Sequence, residues 1–291
     1  MRKIKLITNC DRAPNYLMDI SVKHWLENGF RPEDLIFLVN NISDVDMVVE
    51  LKKHYNIDAK RVDSIDNIYD ENQCVVWDHL KEYDWGTMLC KEGDIANDIQ
   101  HKLLKSGTDV VIFLDRDELL WHESNDLINI LNKFTSPVIR PRGIEVIQNK
   151  NEKILDLSIP ISEQRTWFRW YPSKSKPCIV QSPVHWIIGR HGTKCGKWPH
   201  ADTLAHPELQ FHPEADINEY PGLYLLHLDK IDIQRIYDLR VEGNTFYKTN
   251  NLHAGEVDID KFYDWFYEAH LDTRAERELY QDTKFLKKVG I

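Results

Sequence analysis

The stretch Val110-Val-Ile-Phe-Leu-Asp-Arg-Asp-Glu-Leu-Leu-Trp121 decides the fold class, because it joins the most apolar run of the chain to a cluster of acids. Five apolar residues without alternation are typical of a strand that is buried on both faces. Such strands occupy the centre of parallel sheets, whose ligands bind beyond the carboxyl ends of the strands. Asp115 and Asp117 follow this strand directly, so the sequence predicts a ligand site at its end.

Apolar runs and helical patterns alternate on both sides of this strand. Residues 5–8 and 35–39 are short apolar runs, and residues 44–54 and 94–106 carry apolar side chains at helical spacing, the latter with Asp94 as the expected N-cap. Alternation of this kind predicts an α/β fold with a mostly parallel, Rossmann-like sheet flanked by helices. Residues 158–221 lose this regularity, which indicates a loop-rich region, and helical patterns return in the C-terminal tail.

The composition limits the class of protein further. The chain has 291 residues with 42% hydrophobic and 29% charged residues, enough for one large domain with an appendage. Its net charge of -10 disfavours nucleic acid as a partner. Five scattered cysteines argue against a disulfide framework, and no apolar stretch is long enough for a signal peptide or a membrane span. We therefore expect a cytoplasmic protein without a transmembrane segment.

The acids after the central strand indicate metal chemistry. Asp115, Asp117 and Glu118 crowd behind five apolar residues, where their charges repel one another unless a cation or basic groups compensate. Mg²⁺ and Mn²⁺ prefer carboxylate oxygens and can bridge them to a nucleotide diphosphate. The alternative for any D-x-D sequence is a solvated strand end without a ligand.

The chain resembles the D-x-D-E glycosyltransferases of the GT-A fold, related to glycosyltransferase families 2 and 92. The resemblance covers residues 94–243 and is carried by LDRDELL, with Leu119 where phenylalanine is usual, then KPCIV at 176–180, then Gly189-Arg190-His191. A closing segment follows, in which His227, Lys230 and Gly243 occupy the expected places, although Leu228 replaces the usual tyrosine.

The resemblance implies a metal-dependent transfer of sugar from a nucleotide-sugar donor to a hydroxyl acceptor, such as a glycan or glycoconjugate. It implies a GT-A domain over residues 1–230, with a nucleotide-sugar half (1–120) and an acceptor half (121–230), and a helical extension over 231–291 packed on that domain. His227 would join Asp115 and Asp117 in holding Mn²⁺ or Mg²⁺. Lys230 would face the phosphates.

Three further sets of residues are candidates for the site. The loop after the first strand, with Thr8, Asn9 and Asp11, lies where GT-A enzymes hold the base and ribose, although the same residues suit an ordinary turn. Glu145, Glu163 and His191 are candidates for the general base, and we carry Glu145 and His191 beside Asp117 as catalytic residues. Aromatic side chains at 167–171 and 186–198 would contact a sugar acceptor, or form a local cluster.

Three other interpretations compete with a glycosyltransferase. A haloacid-dehalogenase-like phosphatase also has D-x-D after an apolar strand, but its G-D-x-x-x-D motif should follow that strand, whereas GDIAND at 93–98 precedes it. A non-catalytic carbohydrate-binding protein would use the abundant tryptophan and tyrosine. A structural zinc site could use the loop residues Cys195, His200, His206 and His212, whose spacing matches no compact finger.

Overall fold

The computed structural model describes residues 2–10, 15–40, 46–69, 72–80, 85–149, 151–170, 176–184, 186, 219–234, 237, 279–281 and 283–289. The chain divides into two compact units, which are Met1–Pro141 with Ser175–Leu223, and Arg142–Lys174 with Tyr224–Ile291. We call them the first and the second unit. The predicted boundary near residue 230 stays a prediction, because most of the proposed extension lies outside the described residues.

The strands in chain order are β1 (Ile4–Asn9), β2 (Leu35–Asn40), β3 (Ala59–Val62), β4 (Cys74–Leu80), β5 (Val110–Asp115), β6 (Glu118–His122), β7 (Val138–Ile147), β8 (Trp167–Trp170), β9 (Ile179–Val180), β10 (Glu219–Lys230) and β11 (Leu279–Gln281). The helices are α1 (Asn15–Glu27), α2 (Met47–Tyr55), α3 (Trp85–Lys105), α4 (Leu127–Lys133), α5 (Ile161–Gln164) and α6 (Thr283–Val289). Two of the three boundaries between the units fall inside β7 and β10, and the third falls between Lys174 and Ser175.

The first unit contains the predicted parallel sheet. Its strands run in the order β5-β1-β2-β4-β3 and all neighbours are parallel. The central strand β5 is buried along its apolar residues, as the sequence predicted. On its outer side β5 pairs with the short antiparallel strand β9. The α/β class with a mostly parallel sheet flanked by helices is thereby confirmed.

Helix α3 covers one face of this sheet. Ile99 and Leu103 are fully buried against a cluster that includes Ile36, Val75 and Phe113 from the strands. Burial of each such side chain stabilises the fold by about 1.5–3 kcal/mol.

The structure corrects the predicted start of α3. Asp94 was expected to be the N-cap, but the helix begins at Trp85 and Asp94 lies inside it. The spacing of apolar residues identifies only those turns of the helix that pack on the sheet. Once these turns have formed, further turns can add at the N-terminal end without apolar spacing of their own.

Two amides of α3 bind the main chain that follows β9. Asn97 accepts a hydrogen bond from the Trp186 N–H at 2.8 Å and donates to the Trp186 carbonyl at 3.2 Å. Gln100 accepts from the Val184 N–H at 3.2 Å and donates to the Val184 carbonyl. Both amides are buried, so these four bonds satisfy groups that would otherwise be costly to bury. We call this arrangement the amide clasp.

The second unit is built on antiparallel strands. β8 pairs with the second half of β7 on one side and with β11 on the other. Helix α6 packs here through Phe285, whose ring lies 4.9 Å from that of Phe168 and 5.7 Å from that of Tyr224. The strands β8 and β9 lie within residues 158–221, so that region contains more regular structure than the sequence predicted.

Candidate active site

The parallel sheet has a topological switch point between β1 and β5. The strands β2, β4 and β3 lie on one side of β1, whereas the next parallel strand, β5, lies on its other side, so the strand order reverses at β1. Open α/β sheets bind ligands at the carboxyl edge of this kind of crevice. Asn9 ends β1 and Asp115 ends β5, and the two residues are register partners. Two of the predicted site residues are therefore adjacent at this edge.

The turn after β5 is held together by a buried ion-pair cluster. The Lys176 ammonium lies 2.7 Å from Asp115 Oδ2 and 2.8 Å from Glu118 Oε1. The other carboxylate oxygen of Glu118 accepts the Asp115 N–H at 2.8 Å. The side chains of Lys176 and Glu118 are 3% and 2% exposed, whereas that of Asp115 is 31% exposed. Asp115 is thus the member of the cluster that a ligand can reach.

The register of β9 explains why Lys176 reaches this turn. Val111 pairs with Val180 and Ile112 with Ile179 in the antiparallel ladder, and the Phe113 N–H donates to the Cys178 carbonyl. Continued along the same register, this ladder brings Lys176 opposite Asp115. The sequence KPCIV places the lysine three residues before the strand, a relation that no local pattern reveals.

Lys176 supplies the compensating charge that the sequence analysis required. Burial raises the pKa of Glu118, the Lys176 ammonium lowers it, and the charge of Asp115 raises it again, with a net rise above the usual value. The sequence predicts that either a bound cation or basic side chains compensate the repulsion between these acids. The structure shows a basic side chain, that of Lys176. The metal is a separate matter and stays a prediction.

Helix α1 fixes the same turn from another direction. The buried Ser21 hydroxyl donates to the Arg116 carbonyl, and His24 Nε2 lies 3.0 Å from the Leu120 carbonyl oxygen. Burial lowers the pKa of His24, so its ring is neutral near pH 7 and its Nε2 donates. Both contacts are to the main chain, and they hold the turn without using the side chain of Asp117.

The chemistry of the turn suits a hard cation only in part. Asp115 and the partly exposed Asp117 offer carboxylate oxygens, but one oxygen of Asp115 already binds Lys176. Within the described ranges there is no group of three or more His, Cys, Asp or Glu side chains arranged to hold a metal ion. A divalent ion at this turn would therefore need ligand oxygens from a bound diphosphate as well.

Two of the three predicted residues of the first loop, Thr8 and Asn9, lie at the same edge. Thr8 precedes Asn9 in β1 and is buried, and its hydroxyl makes no hydrogen bond to a described residue. Asn9 is also buried, with 8% of its surface exposed. Asp11 lies outside the described residues.

A second charged cluster lies inside the second unit. Glu145 on β7 is opposite Arg169 on β8, and its carboxylate binds the guanidinium of Arg169 and the ammonium of Lys230. Lys230 also lies 3.5 Å from Asp229. Glu145 and Arg169 are fully buried. The structure thus brings together two predicted site residues, Glu145 and Lys230, in an ion-pair arrangement that the sequence analysis did not foresee.

Other predicted residues are placed less completely. His227 lies in β10 and is buried, with 2% of its surface exposed, and Glu163 is exposed in α5. His191, Gly243 and the proposed zinc residues Cys195, His200, His206 and His212 lie outside the described residues. The side chain of Trp170 is also outside them, although its main chain belongs to β8.

The fold and the edge cluster define a Rossmann-like α/β protein with a candidate ligand site at the β1–β5 switch point. Among the described residues no helix is both long and apolar enough to cross a membrane.

No family model matches the chain. The chain is similar to geranylgeranylglyceryl phosphate synthase of Sulfolobus acidocaldarius, with 24% identity over 143 residues, which cover 47% of this chain and 56% of that protein. It therefore spans about half the length of this curated relative.

Solved structures of S. aureus TarS are also similar to the chain. One is TarS 1-349 in complex with UDP-GlcNAc, with a TM-score of 0.29 and 14% identity over 53% of this chain and 37% of that one. Another is TarS itself, with a TM-score of 0.33 and 10% identity over 93% of this chain and 44% of that one. Likeness at this level carries no argument about activity.

Proposed function

We propose that the protein is a glycosyltransferase that takes a sugar from a nucleotide-sugar donor bound at the carboxyl edge of β1 and β5. One observation carries the proposal, namely that Asn9 and Asp115 meet at the switch point with Asp117 two residues further on. This is the place where an open α/β sheet binds a nucleotide. The D-x-D-E resemblance of the sequence supports the same assignment.

In this proposal different residues at the carboxyl edge bind different parts of the nucleotide-sugar donor. Thr8 and Asn9 offer a hydroxyl and an amide to the base and ribose, and Asp11 would contribute a carboxylate from the loop that follows. Asp115 is paired with Lys176 and is 31% exposed, so it would contact the donor from the end of β5. Asp117, on a turn whose main chain is fixed by Ser21, faces the diphosphate.

We infer a requirement for Mn²⁺ or Mg²⁺, held by Asp115 and Asp117 together with the diphosphate; that His227 joins them is implied by the family resemblance alone and stays a prediction. When bound, the ion would neutralise the negative charge that develops on the nucleoside diphosphate as the sugar leaves. The resemblance also implies that Lys230 faces the phosphates; within its own unit its ammonium is bound by Glu145, which is itself paired with Arg169. His191 is the proposed general base that accepts the proton of the acceptor hydroxyl, because the other candidate, Glu145, is fully buried and already bound to Arg169 and Lys230.

The acceptor is proposed to be a glycan or another hydroxyl-bearing molecule. Residues 158–221 would supply aromatic surfaces for it, since sugar rings present apolar faces beside polar edges. Trp170→Ala should then reduce transfer to the acceptor more than hydrolysis of the donor. Equal losses in both activities would remove the acceptor role from this residue.

The decisive experiment is a screen of nucleotide sugars for release of nucleoside diphosphate, with Mn²⁺, with Mg²⁺ and with EDTA. We expect one donor to be consumed only when a divalent ion is present. Asp117→Asn should lower that activity about 10²-fold or more while the protein still folds, on the scale of losing a charge-stabilising contact in a transition state.

A matched control is Asp58→Asn. Asp58 is an exposed aspartate that pairs with Lys52 before the amino end of β3, far along the sheet from β5. Its replacement should leave turnover unchanged. Wild-type turnover by a folded Asp117→Asn protein would contradict the proposed function, and full activity in EDTA would contradict the metal.

A further inference from the structure

A pocket lies at the amino edge of the same sheet, and the proposed donor site at the carboxyl edge does not include it. It has a volume of about 500 Å³ and is lined by polar residues that include Arg2, His101, Lys105, Thr108, Asp109 and Gln181. Arg2 and Asp109 come just before β1 and β5, so the pocket is at the amino ends of these strands. A strand of this length separates the two edges by roughly 17 Å, at about 3.3 Å per residue. We call it the amino-edge pocket.

The donors of the amino-edge pocket are already oriented. The Arg2 guanidinium is fixed by hydrogen bonds from its Nη1 to the Phe134 carbonyl at 2.6 Å and to Gln181 Oε1 at 2.8 Å. The Arg2 main-chain N–H donates to Asn132 at 2.9 Å. Because Gln181 uses its oxygen for Arg2, its amide nitrogen is left as a donor. Ligands bind more tightly to groups that need not be ordered first.

Two buried polar atoms of the pocket residues have no partner among the described residues. They are the Thr108 hydroxyl oxygen and the Gln181 side-chain nitrogen. Thr108 is 4% exposed. A buried polar atom without a hydrogen bond is unfavourable by about 1–3 kcal/mol, so each such atom calls for a physical reason. A ligand that accepts hydrogen bonds from both would supply that reason.

The charge of the pocket is opposite to that of the chain as a whole. Arg2 and Lys105 are basic, and among the lining residues Asp109 is the single acid; its Oδ2 already accepts the Lys3 N–H at 2.8 Å. The whole chain has a net charge of -10. A local excess of donors and positive charge selects an anion with several acceptor oxygens.

We propose that the amino-edge pocket binds a small phosphate monoester, with the phosphate between Arg2 and Lys105 and hydrogen bonds from Thr108 and Gln181. A volume of about 500 Å³ is in the range of small-molecule sites and leaves room for an organic group beside the phosphate. Free phosphate shares the anionic chemistry but does not fill this volume. The proposal does not depend on the proposed glycosyltransferase activity.

The test is isothermal titration of the full chain with glycerol 3-phosphate and, separately, with inorganic phosphate. We expect glycerol 3-phosphate to bind more tightly than phosphate. Lys105→Ala should weaken its binding roughly tenfold, as expected for the loss of one hydrogen bond to a charged group. Thr108→Val should also weaken binding without lowering the melting temperature, because it removes only a hydroxyl that has no partner within the described part of the chain.

Lys102→Ala is the matched control. Lys102 shares the last turn of α3 with Lys105 but pairs with Asp66 and does not line the pocket. Lys102→Ala should change the affinity for glycerol 3-phosphate less than twofold. Asp117→Asn, at the other edge of the sheet, should also change this affinity less than twofold.

Four outcomes would overturn the proposal. They are no binding of either compound, equal binding of both compounds, equal weakening by Lys102→Ala and Lys105→Ala, and loss of binding in Asp117→Asn, which would place the anion at the carboxyl edge.

Discussion

Replacement of Lys176 by methionine tests whether the ion-pair cluster holds the D-x-D turn. Methionine keeps the length of the side chain but removes the charge that faces Glu118, which is 2% exposed. Removal of one partner from a buried ion pair destabilises a protein by about 3–5 kcal/mol, because a buried charge is left uncompensated. The contact of Lys176 with Asp115 adds little to this figure, since Asp115 is 31% exposed and partly screened by water.

The measurement is urea denaturation at pH 7, followed by circular dichroism and by tryptophan fluorescence, since coincident transitions are needed before a free energy is assigned. Lys176→Met combined with Glu118→Gln removes both charges and should recover about 0.5–3 kcal/mol of the loss. Lys52→Met, which breaks the exposed pair with Asp58, should cost no more than about 1 kcal/mol. A single Lys176→Met variant as stable as the wild type, or a double variant as unstable as the single, would refute the cluster's role.

Three further predictions concern buried or strained positions. Burial lowers the pKa of His24 below 6.5, so the stability that its neutral ring contributes above pH 6.5 should be lost as the pH falls through the lowered pKa. His24→Gln should make the free energy of unfolding, measured by denaturation at several pH values, less dependent on pH in this range. Gly222→Ala should destabilise the protein by about 1–2 kcal/mol, because the φ of Gly222 is +73°. It should cost more than Gly107→Ala. Gly107 has a φ of +90°, but a Cβ added there has no atom within 4 Å, whereas a Cβ at Gly222 would lie 2.8 Å from Glu123. Burial raises the pKa of the Cys74 thiol to about 12, so a thiol reagent at pH 8 should label Cys74 only after unfolding, as mass spectrometry of the labelled peptides can show.

The parallel sheet could be predicted because its strands are buried on both faces and stand out as apolar runs. The runs at 5–8, 35–39 and 110–114 correspond to β1, β2 and β5. The strand β4 was missed, since its sequence CVVWDHL mixes apolar and charged residues near its end. The strand β6 was missed for another reason: it begins at Glu118, which the sequence analysis had read only as an acid.

The candidate site was predictable only where one stretch of sequence contains it. Asp115 and Asp117 could be identified because they follow a buried strand directly. The contact of Lys176 with Asp115 depends on the register of two strands that are far apart in sequence, which no local pattern encodes. The pairing of Glu145 with Lys230 is likewise a long-range contact, whereas from sequence Glu145 is only a candidate base and Lys230 receives its role from the family resemblance.

The amide clasp binds the main chain of Val184 and Trp186. Its four hydrogen bonds therefore do not depend on which side chains these two positions carry. Asn97 and Gln100 take one N–H and one carbonyl from each residue, which is what the edge of a β-strand offers to its neighbour. Only proline, which lacks the N–H, is barred by the clasp itself. A chimera in which a foreign segment replaces residues 187–218 could therefore be joined directly after Trp186. The junction would still be held, because the two amides bind main-chain N–H and carbonyl groups, which every amino acid except proline has.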